Sequence, residues 1–336
     1  MIGQEKAERG MPHTENIWQK KEREKLEKCN LCGSEKFIFL YEGHDYLSFS
    51  PLTFKVRRCS RCGLVCVNPR PENIIHYYRE YHKRSPELEK DIFHFLSSNR
   101  TKKIKRFKKG GRILDVGCGS GKFLFEMSKE GWEVYGNDIS DVACDSARMD
   151  FGLKNIYHGE LLALNFPENF FDVITLWHVL EHLETPRETL QEIHRILKND
   201  GLLIIESPDF SSPQSKFFKD KWQALDLPRH LYHFSGRTLR RLLKSAKFEI
   251  VKEDYLTDSR ISFIDLKVSL VRWLGIEKLP NRAQFKESEI SAHFRRAKTL
   301  WRFTRFIFNW MCLLFSRFLN FISWRDMFRV YGRKMD

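Results

Sequence analysis

The chain has 336 residues, 42% of them hydrophobic, and a formal net charge of +14. This length suits one large domain plus a smaller one. Residues 1–28 are charged and contain neither an apolar core nor a cleavage-site pattern, which excludes a secretory signal. We therefore expect a charged flexible tail or helix at the N-terminus and a cytoplasmic location.

Four of the eight cysteines form two Cys-x-x-Cys pairs, each followed by glycine. In a reducing compartment, cysteines serve as metal ligands or core residues more often than they form disulfides. Four thiolates match the tetrahedral preference of Zn²⁺, and paired knuckles are typical of a zinc ribbon. A redox-active Cys-x-x-Cys is the alternative interpretation. The expected ligands of a structural Zn²⁺ are Cys29, Cys32, Cys59 and Cys62.

A glycine-rich turn follows the apolar run in residues 112–121, which read RILDVGCGSG. The run predicts a buried parallel strand, and residues 122–129 predict a helix after the turn. Such a turn lets a ligand approach bare backbone next to the unpaired N–H groups of a helix N-terminus. A second apolar run, residues 132–136, ends in Asn137 and Asp138, where an acid can accept hydrogen bonds from ribose hydroxyls. Glycines alone leave NAD, FAD and S-adenosylmethionine (SAM) open as ligands.

Polar side chains follow the next predicted strands. Residues 171–176 predict a fourth strand, and residues 202–206 predict a fifth strand followed by a long loop. In open α/β sheets ligands lie beyond the carboxyl ends of the strands, so these positions are candidates for a site. A neutral histidine suits general-base chemistry near pH 7, although Glu181 and His182 could simply fix the loop. The candidates after these strands are Trp177, His178, Glu181, His182, Trp222, Arg229, His230 and Tyr232.

The motif DVGCGSG, residues 115–121, resembles motif I of the class I SAM-dependent methyltransferases. Its Gly-x-Gly-x-Gly spacing behind an aspartate differs from the dinucleotide fingerprint. The resemblance continues through VYGNDIS, FFDVITLWHVLEH and GLLIIESP, and it covers roughly residues 109–256. It implies an α/β fold with a Rossmann-like core of seven strands. The cofactor contacts that we expect are Asp115, Gly117, Gly119 and Gly121 around the methionine part, Asp138 at the ribose, Glu160 and Leu161 at the adenine, and Trp177.

The front end of the chain resembles the ribbon-bearing methyltransferases of deoxysugar and surface-polysaccharide pathways. This resemblance implies a substrate-side lobe that brings Tyr77 and Tyr78 close to the pocket mouth, with ordinary packing as the alternative. The loop of residues 217–234 also resembles that group and suggests Trp222, Arg229 and Tyr232 as acceptor contacts. His182, His230 and His178 are the candidate catalytic bases.

Residues 178–182, HVLEH, also resemble a segment of the ubiquinone-pathway O-methyltransferases. In those enzymes a Glu-x-x-Glu-His stretch can hold a divalent cation. Here His178 replaces the first glutamate. Whether a cation lies near Glu181 and His182 therefore stays open.

A helical insertion rich in aromatic and basic residues is expected in residues 257–325, before the last core strand in residues 326–336. Its uncharged stretch is too short to cross a bilayer. Residues 300–324 suit an interfacial helix, which would place the protein at the inner face of a membrane. Packing on the core or in a homodimer is the alternative. The predicted organisation is a tail in 1–28, a ribbon in 29–68, a helical linker in 69–108, the SAM-binding core in 109–256, the insertion in 257–325 and the last strand in 326–336.

Methyl transfer to a small-molecule acceptor is the function that these features favour. A sugar or glycan precursor, methylated on oxygen or carbon, is the preferred acceptor, and a lipid or quinone phenol is the alternative. The chain lacks an Asn/Asp-Pro-Pro-aromatic motif after the fourth strand and a Pro-Cys nucleophile, so nucleic acid is not the expected substrate. A nucleic-acid-binding protein that uses SAM as a structural or sensory ligand is the alternative from another class.

Overall fold

The computed structural model describes residues 23–46, 52–71, 74, 77, 100–256, 265–266, 268–270, 272–275 and 325–335. Its main feature is a seven-stranded sheet in the order β12-β13-β10-β9-β6-β7-β8. Strands β10, β9, β6, β7 and β8 run parallel, and β13 pairs antiparallel with both β10 and β12. The predicted Rossmann-like core is thereby confirmed. Its strands are β6 (Arg112–Val116), β7 (Glu133–Asp138), β8 (Asn155–His158), β9 (Phe171–Trp177), β10 (Leu197–Pro208), β12 (Phe248–Leu256) and β13 (Met327–Lys334).

Burial explains why the central strands are continuous apolar runs. In β6 the residues Ile113 and Leu114 are fully buried, and in β9 Val173, Ile174 and Leu176 are fully buried. A parallel strand with both faces covered needs such a run, rather than the alternation of a half-exposed strand. The strands therefore end where polar residues begin, and this places polar groups at the carboxyl edge of the sheet.

Five helices are described, and their ends follow local rules. Ser140 caps one helix by accepting a hydrogen bond from the Ala143 N–H. Ser235 and Thr238 form a capping box at another helix, where each side chain bonds to the backbone of the other residue. The helices are α1 (Lys122–Lys129), α2 (Asp141–Phe151), α3 (Pro186–Ile196), α4 (Pro213–Phe218) and α5 (Gly236–Ser245).

A second sheet lies at the N-terminal end of the chain, and its order is β11-β4-β3-β2. Its strands pair antiparallel, and β11 comes from the loop after β10 rather than from the N-terminal segment. A short pair of β1 and β5 lies beside it. The strands are β1 (Arg23–Glu24), β2 (Phe37–His44), β3 (Thr53–Cys59), β4 (Val65–Val67), β5 (Arg70–Pro71) and β11 (Tyr232–His233).

The two sheets share one hydrophobic cluster. Phe54 and Val56 of β3 belong to the same buried cluster as Leu114 of β6 and Ile174 of β9. Arg70 adds a polar link, because its guanidinium lies over the ring of Tyr232 and donates to the Glu184 carbonyl. The N-terminal sheet and the seven-stranded core therefore pack as one body.

Several predicted segments lie outside the described residues. These are Tyr78, most of the linker in 69–108, most of the insertion, and the whole of 300–324. Within the described part of the chain, no helix combines the length and the apolarity that a bilayer crossing needs. The predicted last strand is present as β13.

Candidate functional site

The glycine turn joins β6 to α1, and its three glycines adopt the left-handed conformation. A Cβ at Gly117 would lie 2.6 Å from a methyl group of Val179, so this position is closed by packing. At Gly119 nothing lies within 4 Å of the position that a Cβ would take. The turn therefore leaves an open face at Gly119, which fits a ligand that lies against the backbone.

Asp138 ends β7 beside this open face. One carboxylate oxygen accepts a hydrogen bond from the Gly119 N–H at 2.8 Å, and the other accepts from the Ser140 N–H at 2.9 Å. A carboxylate has about four lone-pair sites, so it can accept further bonds from a ribose. Asp138 thus also holds the turn in place, a role that the sequence did not indicate.

Asn137, the neighbour of Asp138, offers a second buried acceptor. Its Nδ2 donates to the Gly159 carbonyl at 3.0 Å, whereas its buried Oδ1 has no hydrogen-bond partner among the described residues. A buried polar atom without a partner costs free energy and is often satisfied by a ligand. Nearby, Glu160 is exposed and Leu161 is buried. The part of the site where we expect adenine thus contains a hydrogen-bond acceptor, Asn137 Oδ1, that the sequence analysis did not identify.

Asp115 lies beneath the turn and is almost fully buried. Burial raises the pKa of its carboxyl to about 8, against the opposing effect of a hydrogen bond that Thr175 Oγ1 donates at 2.6 Å. A cationic ligand near this carboxyl would stabilise its charged form. The position fits the predicted role near the methionine part of SAM, which carries an ammonium group and a sulfonium.

Trp177 lies in a buried cluster of charges at the end of β9. Its ring lies between the guanidinium groups of Arg100, at 4.5 Å, and Arg329, at 5.3 Å. Both arginines donate hydrogen bonds to the buried carboxylate of Glu206. The cation–π contacts with the two arginines, and their ion pairs with Glu206, therefore hold the Trp177 side chain in place.

His178 belongs to the same cluster of charges and has a left-handed backbone conformation. Its Nδ1 lies 3.5 Å from Glu181 and its Nε2 lies 3.3 Å from Glu206. Burial alone would lower the pKa of His178, but the two carboxylates outweigh burial and raise it to about 9. His178 therefore carries a proton near neutral pH, which argues against its predicted role as a general base.

Three imidazoles surround the buried carboxylate of Glu181. His182 Nδ1 lies 3.0 Å from the Arg229 carbonyl, and His230 Nδ1 lies 2.8 Å from the Ala224 carbonyl. The rings of His182 and His230 meet edge to face at 4.6 Å, and His233 lies beside His230. Sequence reasoning named His182 and His230, and the tertiary structure brings them together.

The proton states in this group follow from burial. Burial and the neighbouring His230 lower the pKa of His182 to about 4, and the same two causes lower the pKa of His233 to about 3. Burial would raise the pKa of Glu181, but His178 and the other imidazoles lower it to about 2. At neutral pH the group therefore holds a charged carboxylate beside two neutral histidines, His182 and His233.

Glu181, His182 and His230 also form a set that could hold a metal ion. One potential ligand atom from each lies within 4.8 Å of the others. The His178 ring, by contrast, lies between Glu181 and Glu206. The Glu-x-x-Glu-His pattern is thus not reproduced here, and His230 from a later loop completes the group.

A small cavity lies against this group, and we name it the histidine cavity. It has an empty volume of about 150 Å³. Within the described chain, the Ser207 hydroxyl, the Trp222 Nε1 and the His233 Nε2 are buried there without a hydrogen-bond partner. These unpartnered polar groups could form hydrogen bonds with a bound group. The lining residues are Glu181, Ser207, Pro208, Trp222, His230, Tyr232 and His233.

A second cavity lies on the side of the N-terminal sheet, and we name it the arginine cavity. Its empty volume is about 200 Å³, and it shares Trp222 with the histidine cavity. Arg272 of the insertion lines it, and Ser269 of the insertion accepts a hydrogen bond from the Gln223 N–H through its Oγ. The lining residues are His44, Tyr46, Asp220, Trp222, Leu225, Asp226, Leu227, Arg229 and Arg272.

The polar ends of two predicted acceptor contacts are used inside the protein. Arg229 pairs with Asp45 and Asp226. The Tyr232 hydroxyl accepts a hydrogen bond from Asn30 and donates to the Glu184 carbonyl. Both residues border a cavity, but these contacts favour a structural role over direct recognition of an acceptor.

Tyr77, another predicted acceptor contact, also makes its contacts inside the protein. It is buried, and its ring lies edge to face with Phe54 of β3, at 5.9 Å. It lines neither of the two cavities. The structure thus favours the packing alternative for Tyr77.

The two cysteine pairs converge into one cluster. Cys29 and Cys62 lie with their sulfurs 3.5 Å apart, as do Cys32 and Cys59, and all four sulfurs lie within 4.8 Å of one another. A tetrahedral Zn²⁺ with bonds of about 2.3 Å requires sulfurs about 3.8 Å apart. The donor set and its geometry fit a single metal ion. Cys66 lies outside this set, buried in β4.

Comparisons with known proteins point to one family. A family model described as "Methyltransferase domain" matches residues 82–253, which is just over half of the chain. The chain is 35% identical over 118 residues to a methyltransferase of Geobacillus sp. (strain WCH70), covering 31% of this chain and 46% of that protein. It is 32% identical over 105 residues to the mitochondrial ubiquinone biosynthesis O-methyltransferase of Schizosaccharomyces pombe, covering 29% and 38%. The chain thus spans less than half the length of these curated relatives.

A solved structure of similar fold is the SAM-dependent methyltransferase from Archaeoglobus fulgidus. It is 19% identical, with a TM-score of 0.48, over 78% of this chain and 100% of that one. The open face at Gly119, the acid that ends β7 and the seven-stranded sheet agree with the family match. The chain belongs to the methyltransferase-domain family, in agreement with its resemblance to the class I SAM-dependent methyltransferases.

Proposed function

We propose that the chain transfers a methyl group from SAM to a hydroxylated small molecule, a sugar or glycan precursor. The observation that carries this proposal is the histidine cavity, which His230 and the neutral His233 line, with the neutral His182 in edge-to-face contact with His230. SAM supplies an electrophilic methyl group on a sulfonium, which is already a good leaving group. The protein must then align the acceptor, exclude water and accept a proton.

In this proposal His230 or His182 takes the proton of the acceptor hydroxyl. Hydrogen-bond contacts to the backbone carbonyls of Ala224 and Arg229 fix the orientation of the two rings. The Glu181 carboxylate beside them would stabilise the imidazolium that forms. Asp138, Asn137 and the glycine turn would hold SAM, and the four cysteines would hold a structural Zn²⁺ that stabilises the N-terminal sheet.

The polar residues that line the arginine cavity support a sugar acceptor rather than an isoprenoid acceptor. The arginine cavity presents His44, Asp220, Asp226 and two arginines, which offer hydrogen bonds to hydroxyl or charged groups. A quinone tail would leave these groups without partners. A quinone phenol is the second candidate, and the ubiquinone biosynthesis O-methyltransferase among the relatives favours it.

A panel of acceptors with SAM tests the proposal. Formation of S-adenosylhomocysteine, together with a mass increase of one methyl group in the acceptor, identifies the substrate class. Sugar nucleotides should react and quinone phenols should not. Turnover restricted to the phenols would favour the second candidate.

Replacement of His230 or His182 by Ala tests the base. The rate should fall by roughly 10²–10⁴ for the residue that takes the proton, while SAM affinity stays nearly constant. His194→Gln is the matched control, because His194 lies near the end of α3 and contacts the Met335 carbonyl. Full activity of both alanine variants would exclude a base at either histidine.

A further inference from the structure

The arginine cavity is lined by two aspartates and two arginines, and the two arginines differ in their partners. Arg229 is neutralised by two carboxylates, since it pairs with Asp45 at 3.0 Å and donates several hydrogen bonds to Asp226. Lys221 lies 3.4 Å from Asp220 and donates to the Tyr46 hydroxyl at 2.7 Å. These cations already have partners within the protein.

Arg272 differs from them. Only 9% of the residue is exposed, and its guanidinium lies over the ring of Tyr46 at 4.3 Å. Among the described residues, no carboxylate forms an ion pair with it. Burial lowers the pKa of Arg272, against the opposing effects of Asp226, Tyr46 and Asp265. A largely buried guanidinium that lines a cavity without an ion-pair partner keeps its N–H donors available for a ligand in that cavity.

We propose that the arginine cavity binds an anionic phosphate group of the acceptor, with Arg272 as its main ligand. A guanidinium offers a planar fork of donors that matches phosphate oxygens, and the stacking on Tyr46 holds this fork in place. The amine of Lys221 and the ring of His44, both near Tyr46, extend the polar surface. This inference rests on the proposed function, because it assigns a recognition element to the same acceptor.

The position of Trp222 connects the two cavities. Its side chain borders both of them, and Asp226, which borders the arginine cavity, lies 3.9 Å from His230 Nε2. The proposed phosphate site at Arg272 is thus separated from His230 by few residues, Trp222 and Asp226 among them. Arg272 comes from the insertion between β12 and β13, so the insertion would determine which acceptors bind.

Pyrophosphate binding to the full-length protein tests the subsite without any methyl transfer. Calorimetry at constant ionic strength should show binding to the wild type and at least tenfold weaker binding to Arg272→Gln, about 1.4 kcal/mol. Arg272→Lys keeps the charge and should retain part of the affinity. Arg106→Gln, which removes an exposed arginine, is the matched control and should bind like the wild type.

SAM affinity of each variant shows whether it has folded, because the glycine turn is separate from this cavity. Equal pyrophosphate affinity of the wild type and Arg272→Gln would overturn the proposal, and so would the absence of binding to the wild type. Tighter binding of malonate than of pyrophosphate would overturn the assignment to phosphate.

Two further titrations distinguish the source of the phosphate. One uses a nucleoside diphosphate, and the other uses a polyprenyl phosphate in detergent micelles. Weakening of either by Arg272→Gln supports the subsite and identifies the source. Failure of every sugar acceptor to react would contradict the proposed function, whereas the pyrophosphate result would still decide the subsite.

Discussion

Identical residue types have opposite proton states in this site because their neighbours differ. His178 lies between two carboxylates, so its pKa is raised to about 9. His182 is half-buried beside another imidazole, and desolvation and that neighbour lower its pKa to about 4. At the scale of single residues, the surroundings rather than the residue type decide which histidine can accept a proton.

The charge on His178 should make its contribution to stability depend on pH. The pKa of His178 is higher in the folded chain than in the unfolded chain, so its stabilisation is complete below about pH 6.5 and lost as pH rises towards 9. The variant His178→Asn suits the left-handed backbone. We expect the difference in unfolding free energy between wild type and variant to shrink by roughly 1–2 kcal/mol between pH 6.5 and 9.

Denaturant titrations at pH 6.5, 7.5 and 9 measure this difference directly. Comparison with the variant cancels the contributions of the other titrating groups, such as Asp115. A difference that stays constant over this range would mean that His178 is neutral, which would restore it as a candidate base.

Asp138 should contribute to SAM binding in two ways. Its replacement by Ala removes the expected ribose contacts and also the hydrogen bonds that hold the N–H groups of Gly119 and Ser140. Each bond contributes roughly 0.5–1.5 kcal/mol, and more when the acceptor is charged, so affinity should fall at least tenfold. Calorimetry with SAM checks this, with Asp141→Ala, at an exposed acid of α2, as the control. Unchanged affinity of Asp138→Ala would rule out the ribose assignment.

At the scale of elements, the N-terminal sheet positions the loop that carries the histidines. β11 pairs with β4 through Tyr232 and Cys66, and β4 follows the second cysteine pair. His230 lies two residues before this strand. A metal ion at the four cysteines would therefore affect the acceptor side of the protein as well as the sheet that it holds together.

The protein should contain one Zn²⁺ per chain when it is purified without added metal. Cys59→Ser should lower this ratio, reduce thermal stability and slow methyl transfer, while SAM affinity changes little because the glycine turn lies in the other sheet. Cys144→Ala, a buried cysteine of α2 outside the cluster, should keep the metal. Metal analysis by mass spectrometry is the measurement. A ratio near zero with all four thiols freely reactive would contradict the zinc site.

At the scale of the whole molecule, the core and the N-terminal sheet form one body around a shared apolar cluster. Arg70 and Asn30 from the front of the chain both reach the Glu184 carbonyl, which follows the loop of His182. Arg272 of the insertion lines the arginine cavity. The region proposed to bind the acceptor is thus built from three distant parts of the chain, whereas the region proposed to bind SAM is built from consecutive βα units.

The difference between regions built from neighbouring residues and regions built from distant ones explains which predictions the structure confirms. The glycine turn and the strands of the core depend on residues close in sequence, and the structure confirms both of them. The cysteine spacing likewise predicted a cluster that the structure contains. Local patterns suffice where backbone conformation and burial are set by neighbouring residues.

Only the tertiary structure decided the roles of residues whose partners are far away in sequence. Arg229 and Tyr232 looked like acceptor contacts, but Asp45 and Asn30 occupy their polar ends. His178 looked like a base until Glu206, at the end of another strand, was placed beside it. Arg272 gave no signal in the sequence, because its proposed role depends on its burial against Tyr46 and on the lack of an ion pair among the described residues. The sequence by itself determined the family, the core and the cofactor side, since these depend on short-range order. The acceptor side depends on which charges meet across the fold, and three-dimensional packing alone determines that.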